Sequence, residues 1–218
     1  MTCKTNVVGS PVRFKGGESK VTGKALYLDD MELPGQLYAK ILRSPHAHAK
    51  INTIDTSRAE ALSGVRAVIT GRDCPDTHFG LDVADSTILA TDKVRYVGDE
   101  VAAVAAEDQQ TAAKALDLID VEYEPLPGVF EPSAAMADNA PLIHDDKAGN
   151  LAKRYDIVRG DYDAVLKDCD YVFEEEFATS RVLPSYLELF GCIAQWNPEG
   201  RLVMHTGIQA MFQARAEL

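Results

Sequence analysis

Residues 93–124 read KVRYVGDEVAAVAAEDQQTAAKALDLIDVEYE and contain signals for strands, a turn and a helix. The run EVAAVAA at residues 100–106 predicts a buried strand, because a short apolar run with polar boundaries is typical of one. Residues 93–97 predict a second strand, and Gly98-Asp99 predicts the turn between them. The stretch therefore begins with two strands joined by a tight turn.

An Ala-rich helix is predicted to follow. Asp108 is a candidate N-cap, and the helix is expected to continue to Ile119 because apolar residues recur at helical spacing. That stripe consists of Ala112, Ala115, Leu116 and Ile119. Residues 121–124 predict another strand, which Pro125 ends. The strand–helix–strand order predicts a mixed sheet with a helix on one face, and hence an α+β fold.

The segments before this stretch are predicted to be extended. The N-terminal segment, about residues 1–20, is rich in Gly, Ser and Lys and predicts an extended arm. Residues 36–43, QLYAKILR, alternate apolar and polar side chains, as expected for a half-buried strand. Residues 65–70 form a short β-branched run and predict a further strand.

After residue 130 the pattern of the sequence changes. Residues 130–150 lose periodicity and contain proline and glycine, which predicts a connector between domains. A second, strand-rich portion is predicted from about Leu151. Its predicted elements are a helix at 161–167, a long strand at 169–179, strands at 190–196 and 201–206 joined by a turn at 197–200, and a helix from 209. The sequence stops within that helix, so we expect this portion to be incomplete or to be completed by another chain.

Composition and charge restrict the class of protein. The 218 residues are enough for one sizeable core or two small domains. The net charge of -12 disfavours nucleic acid and anionic membranes as partners, since their phosphate groups would be repelled. No run approaches the roughly 18 apolar residues of a membrane span, and the N-terminus lacks the apolar core of a signal peptide. We therefore expect a cytoplasmic protein, or one that is exported only on a partner's signal, with no nucleic-acid or membrane partner.

The sequence predicts no side-chain metal site and no catalytic constellation. His46 and His48 would share one face of a strand but lack a third ligand. Ser44 beside His46 lacks an orienting acid, so a structural role is favoured. Glu188 lies in an apolar stretch, where a structural hydrogen-bonding role is favoured over a functional one. No pair of cysteines has the CxxC spacing of a zinc or iron–sulfur site; they are Cys3, Cys74, Cys169 and Cys192.

Four segments together carry a family resemblance. They are VTGKALY at 21–27, ILRSPHAHA at 41–49, DKVRYVGDEVAAVA at 92–105 and VEYEPLP at 121–127. In residue pattern and spacing they resemble the opening of the large subunits of molybdenum hydroxylases, the family of xanthine dehydrogenase and aldehyde oxidase. In that family the segments belong to the a/b hammerhead domain.

The resemblance implies an organisation of the whole chain. Asn150-Leu151 and Arg159-Gly160-Asp161 look like the start of the family's molybdopterin-binding region. The expected α+β fold is therefore a hammerhead domain followed by the incomplete start of a molybdopterin-binding domain. The implied divisions are an N-terminal arm at 1–18, the hammerhead domain at 19–130, a connector at 131–150 and the first part of the molybdopterin-binding domain at 151–218.

One residue of the site is implied by the resemblance. Thr206-Gly207-Ile208-Gln209 looks like a variant of the family's Thr-Gln motif, whose glutamine hydrogen-bonds an oxo ligand of the molybdenum. Carried over, this cofactor-binding residue is Gln209. The sequence departs from the family because Gly207 and Ile208 stand before the glutamine, where Thr usually adjoins it. Without the resemblance, the simplest role for Gln209 is a backbone cap of the following helix.

Cofactors and partners also follow from the resemblance. The family's GGGFGGK-like loop and its catalytic glutamate are expected beyond Leu218, so no catalytic residue is assigned in this chain. The implied cofactor is molybdenum-molybdopterin, shared with other chains, with iron–sulfur clusters and FAD on partner subunits. The implied partners are the remaining molybdopterin-subunit chain, an iron–sulfur subunit and an FAD subunit. The chain alone is expected to be inactive.

The substrate class remains broad. An aromatic, heterocyclic or aldehyde-type compound is implied by the family. Residues 20–25, 41–49 and 92–96, with 143–147, are similar to the large subunits of 4-hydroxybenzoyl-CoA reductases, which implies an aromatic CoA thioester. Tyr186-Leu187-Glu188 is instead similar to xanthine dehydrogenases. The alternatives are a non-catalytic assembly or docking module of such a complex and an unrelated small-molecule binding protein.

Overall fold

The computed structural model describes residues 8–80, 83–186 and 188–218. It contains eight strands and six α-helices in these ranges. The strands are β1 (Tyr38–Arg43), β2 (Ala49–Asp55), β3 (Val65–Thr70), β4 (Lys93–Val94), β5 (Glu100–Ala106), β6 (Asp120–Pro125), β7 (Cys192–Trp196) and β8 (Leu202–Thr206). The helices are α1 (Gly17–Val21), α2 (Ser57–Glu60), α3 (Gln109–Leu116), α4 (Pro132–Ala135), α5 (Tyr162–Lys167) and α6 (Met211–Glu217).

The first sheet is centred on β5. Its strand order is β1-β5-β3, and both pairings are antiparallel. Ala102 and Val104 of β5 belong to a core cluster that also includes Ala115 of α3. Such a central strand is covered on both sides and needs a continuous apolar run, which explains the sequence EVAAVAA.

The second sheet is centred on β2. Its strand order is β4-β2-β6, again with antiparallel pairs. Ala49 of β2 and Val94 of β4 are fully buried and share a second core cluster with Val101 of β5. Because β5 contributes to both clusters, the two sheets share a common core.

Helix α3 is fixed by its N-cap and its apolar stripe, as predicted. The Asp108 carboxylate accepts hydrogen bonds from the backbone N–H groups of Gln110 (2.9 Å) and Thr111 (2.8 Å). Ala112 and Ala115 are fully buried. The helix ends at Leu116 and not at Ile119, although Ile119 is still buried against the same cluster.

The α+β class is confirmed, and one detail of the sheet differs. The two strands on either side of α3 lie in different sheets, because β5 pairs with β1 and β3 whereas β6 pairs with β2. Each of these pairings is antiparallel, so the predicted mixed sheet is instead a pair of antiparallel sheets. The strand predicted at 93–97 stops at Val94, because the Asp99 carboxylate accepts a hydrogen bond from the Arg95 N–H (2.8 Å) and turns the chain.

Two downstream elements were predicted correctly. In α5, the Asp161 carboxylate caps the helix by accepting from the Ala164 N–H (3.0 Å). Strands β7 and β8 form an antiparallel hairpin. Its turn is closed by a hydrogen bond from the Arg201 N–H to the Asn197 side-chain oxygen (2.8 Å), and Gly200 takes a positive φ of 74°. That left-handed conformation is one that glycine adopts without steric cost.

Two predictions of extended structure were wrong. Residues 17–21 of the predicted arm form α1, where Thr22 Oγ1 donates to the Glu18 carbonyl (2.7 Å) and ends the helix. Residues 1–7 of the arm, including Cys3, lie outside the described residues. Residues 169–179 form no strand, since among the described residues no strand pairs with them. A strand needs a partner for its backbone hydrogen bonds, and alternation of side chains does not supply one.

The chain divides into two compact units. The larger unit comprises residues 35–175 and contains both core clusters. The smaller unit comprises residues 1–34 and 176–218 and contains the β7–β8 hairpin. Among the described residues, no helix has the length and apolar character to cross a membrane.

Candidate functional site

The loop that carries Gln209 joins the hairpin to the last helix. Strand β8 ends at Thr206 and α6 begins at Met211. Gln209 is exposed between them. The N-cap of α6 is Ala210, which has no side-chain cap, so Gln209 is not the capping residue. Its amide is therefore available to a group outside this chain.

The start of this loop is held by the hairpin. Cys192 and Thr206 form the last pair of the β7–β8 ladder. The Thr206 hydroxyl also donates a hydrogen bond to the Gly191 carbonyl oxygen (3.0 Å). These contacts tie the end of β8 to the beginning of β7, so the loop leaves the hairpin at a defined point.

A contact between Glu188 and Gly207 accounts for the glycine in the loop. A Cβ placed on Gly207 would lie 3.3 Å from Oε1, 3.4 Å from Cδ and 3.5 Å from Oε2 of Glu188. A carboxylate therefore occupies the space that a side chain at this position would need. Gly207 does not have a positive φ, so the glycine provides space and is not required by the backbone conformation.

An open cavity of about 310 Å³ lies beside this contact. One part of its wall is formed by Glu188, Thr206 and Gly207. The rest of its lining is contributed by Leu26, Tyr27, Leu28, Met31, Met204 and His205. All of these residues belong to the smaller unit. The cavity places polar side chains next to the loop that carries Gln209.

The hydrogen bonding predicted for Glu188 is not observed among the described residues. Its apolar neighbours Tyr186, Leu189 and Phe190 are exposed, so they do not cover the carboxylate. Glu188 is itself exposed. Among the described residues we find no hydrogen bond or ion pair of its carboxylate, and the contact with Gly207 takes that place. Leu187, in the middle of the motif, lies outside the described residues.

Ser44, His46 and His48 lie in a turn between β1 and β2, not on a strand. The Ser44 hydroxyl donates to the His46 carbonyl and accepts from the His46 N–H, both at 3.0 Å. His48 is buried, and its Nδ1–H donates to the Pro127 carbonyl (2.7 Å). The structural role of Ser44 is confirmed, whereas the shared strand face of the two histidines was wrong. In the described ranges, no group of three His, Cys, Asp or Glu side chains could hold a metal ion.

The larger unit has a separate cavity of about 230 Å³. His144 lines it, with its Nε2 3.8 Å from the Asp85 carboxylate. Burial lowers the pKa of His144, and the nearby Arg95 guanidinium acts in the same direction. The neighbouring segment is held by Lys93, whose ammonium binds both oxygens of Asp145 at 3.0 and 2.9 Å. Residues 143–147 are thus fixed to β4 by a buried lysine, which is a structural arrangement.

Two family models match this chain in succession. Residues 22–127 match the model described as "Aldehyde oxidase and xanthine dehydrogenase, a/b hammerhead domain". Residues 143–218 match the model described as "Molybdopterin cofactor-binding domain". The chain belongs to the molybdenum hydroxylase family. The order of the two matches confirms the hammerhead domain and the cofactor-binding domain that the sequence predicted after it.

Curated relatives of this molybdenum hydroxylase chain are longer than the chain itself. It is 39% identical to a probable xanthine dehydrogenase subunit of Bacillus subtilis strain 168, over 97% of this chain and 28% of the relative. It is 36% identical to the "Nicotinate dehydrogenase large molybdopterin subunit" of Eubacterium barkeri, over 91% of this chain and 47% of the relative. The chain therefore spans less than half the length of these relatives.

Solved structures agree with the fold. The structure titled "Reconstituted CO dehydrogenase from Oligotropha carboxidovorans" matches 96% of this chain and 28% of that one, with 35% identity and a TM-score of 0.83. Quinoline 2-oxidoreductase from Pseudomonas putida 86 matches 96% of this chain and 29% of that one, with 32% identity and a TM-score of 0.83. The molybdenum hydroxylase fold thus extends over nearly the whole chain.

Proposed function

We propose that this chain supplies one side of the molybdenum-cofactor site in a multi-chain hydroxylase or dehydrogenase. The observation that supports it most directly is the exposed amide of Gln209, on a loop held at Thr206. An amide side chain stays neutral and offers two donors and one acceptor. It can therefore hydrogen-bond an oxygen of a metal cofactor without adding charge to the site.

The residues of this loop fit such a cofactor by their chemistry. The backbone N–H groups of residues 207–209 have no backbone partner among the described residues, so they are further available donors. Among the described residues, no side-chain cluster could bind the metal directly. The pterin cofactor would therefore hold the metal, and this chain would contact the cofactor by hydrogen bonds. When bound, the cofactor supplies the redox chemistry of the reaction. Gln209 and its loop would orient the cofactor and exclude water from one side of it.

The substrate and the partners belong to the same proposal. We propose an aromatic, heterocyclic or aldehyde-type substrate, with an aromatic CoA thioester among the candidates. The relatives named for xanthine and nicotinate, which are heterocyclic compounds, support the heterocyclic part of this class. The remaining molybdopterin-subunit chain, an iron–sulfur subunit and an FAD subunit complete the enzyme. We also propose a cytoplasmic location. The proposed domain boundaries follow residue 18 at the end of the arm, residue 130 at the end of the hammerhead domain and residue 150 at the end of the connector.

The Gln209→Ala variant of the assembled enzyme tests this function. Turnover should fall by about ten-fold or more, because a well-placed hydrogen bond is lost in a site shielded from water. The molybdenum content and the assembly of the complex should be unchanged. Gln213→Ala is the matched control, since Gln213 is an exposed glutamine of the adjacent helix α6. That control should keep the wild-type turnover.

The same experiment separates catalysis from assembly. A Gln209→Ala enzyme that holds its cofactor and turns over like the wild type would show that Gln209 is not at the molybdenum site. The chain would then be better described as a non-catalytic assembly module. Elemental analysis and size-exclusion chromatography of both variants establish that the compared enzymes have the same composition.

A further inference from the structure

We propose that Glu188 is a positioning residue, which holds the loop of residues 207–210 and thereby sets the location of Gln209. The inference begins with the contact between the Glu188 carboxylate and Gly207. It rests on the proposed function only where turnover is measured. The order of the loop can be tested without any activity.

The geometry shows which part of Glu188 faces the loop. The three distances from the Cβ position of Gly207 to Oε1, Cδ and Oε2 of Glu188 are nearly equal, at 3.3, 3.4 and 3.5 Å. The flat face of the carboxylate therefore lies against Gly207, with an oxygen on either side.

The loop needs such support because little else in the described residues holds it. Thr206 fixes its first end. At its other end, α6 has only 7 residues, and its N-cap Ala210 provides no side-chain cap. The N–H groups of residues 207–209 have no backbone partner in the described part of the chain. The packing of the Glu188 carboxylate against Gly207 is therefore the contact by which we propose that the middle of the loop is restricted.

The amide exchange of the loop provides the first test. Hydrogen–deuterium exchange of the peptide containing residues 206–212 is measured in the assembled enzyme, without substrate. Glu188→Ala should accelerate exchange at residues 207–210 by about ten-fold, because the packing contact that restricts local opening of the loop is lost. Glu188→Gln should stay within about three-fold of the wild type, because its amide keeps the planar shape that packs against Gly207. Glu199→Ala, at the far turn of the same hairpin, is the matched control and should change nothing.

A second variant keeps the test valid if Glu188→Ala does not fold. Gly207→Ala places a Cβ at 3.3 Å from Glu188 Oε1, so the carboxylate must move by a few tenths of an ångström. It should accelerate exchange in the same peptide. In the Glu188→Ala background, Gly207→Ala should add no further acceleration, because no carboxylate remains to be displaced. Equal acceleration by Gly207→Ala in both backgrounds would contradict the proposal.

Turnover distinguishes positioning from direct chemistry. Glu188→Ala should lower kcat by about ten-fold with little change in KM, and it should lower kcat no further in a Gln209→Ala enzyme, since the two residues act as a unit. Glu188→Gln should restore most of the kcat. Loss of kcat in Glu188→Gln with unchanged amide exchange would overturn the positioning role and indicate a role for the charge. If Gln209→Ala leaves turnover unchanged while Glu188→Ala still loosens the loop, the proposed function fails and the positioning role stands.

Discussion

His144 is a residue whose protonation opposes folding. Burial is the largest cause of its lowered pKa, followed by Arg95, while Asp85 and Asp146 act in the opposite direction. In the unfolded chain the histidine regains its ordinary pKa of about 6.5. Between the lowered value and 6.5, the unfolded state therefore binds more protons than the folded state does. Stability is fully present above pH 6.5 and is lost as the pH falls through the folded pKa.

Replacement of His144 should remove this dependence on pH. We expect the unfolding midpoint in urea of the wild-type protein to fall between pH 7.5 and pH 5, and His144→Asn to show a shallower fall. The control is His78→Asn, at an exposed histidine. Its unfolding midpoint should fall with pH as steeply as that of the wild type. A His144→Asn protein with the wild-type slope would show that another group carries the pH dependence.

Individual residues were predictable from the sequence only where their partners are local. The cap at Asp108 was predicted because its hydrogen-bond partners are two and three residues away. The Glu188–Gly207 contact joins distant positions and has no local pattern, so it was missed. An apolar stretch suggested a covered Glu188, but the apolar side chains beside it are exposed. The role of Gln209 is implied by the family resemblance alone and stays a prediction, because the sequence pattern supplied only its place before a helix.

Helix α3 depends on small residues where it meets the first sheet. Ala115 is fully buried in the core cluster that it shares with β5, whereas Ala113 faces solvent on the same helix. We expect Ala115→Leu to lower the free energy of unfolding by about 1–3 kcal/mol, because extra volume in a packed core forces strain. Ala113→Leu makes the same chemical change on the exposed face and should stay within about 0.5 kcal/mol. Urea unfolding of both variants measures the difference, and equal effects would contradict this packing.

Strand prediction succeeded or failed according to how each strand meets its neighbours. Strand β5 is central and its apolar run is continuous, and its bounds were predicted correctly. Strand β2 was missed because a bulge between Ile51 and Thr53 breaks the alternation. Its partly buried isoleucines, Ile51 and Ile54, are consequently three residues apart, which is not the spacing of a strand. Residues 169–179 show the opposite case, in which alternation is present and a partner strand is absent from the described residues.

The two units differ in how their described residues are buried. Both core clusters belong to the larger unit. None of the described residues of the smaller unit is buried, and its hairpin and last helix expose Trp196 and Phe212. A two-stranded hairpin without a covered face is only marginally stable in water. Exposed apolar side chains of this kind are typical of an interface, so we propose that further chains cover the smaller unit.

Hydrogen exchange of the whole molecule tests this difference between the units. In the chain purified alone, amides of β5 should exchange at least about 100-fold more slowly than those of β7 and β8, because only β5 lies in a closed core. After assembly with the partner chains, β7 and β8 should gain protection while β5 changes little. The larger unit serves as the internal control, since partner contacts should not alter its buried core. If β7 and β8 are already protected as strongly as β5 in the isolated chain, the smaller unit is stable by itself and its exposed aromatic residues need no partner.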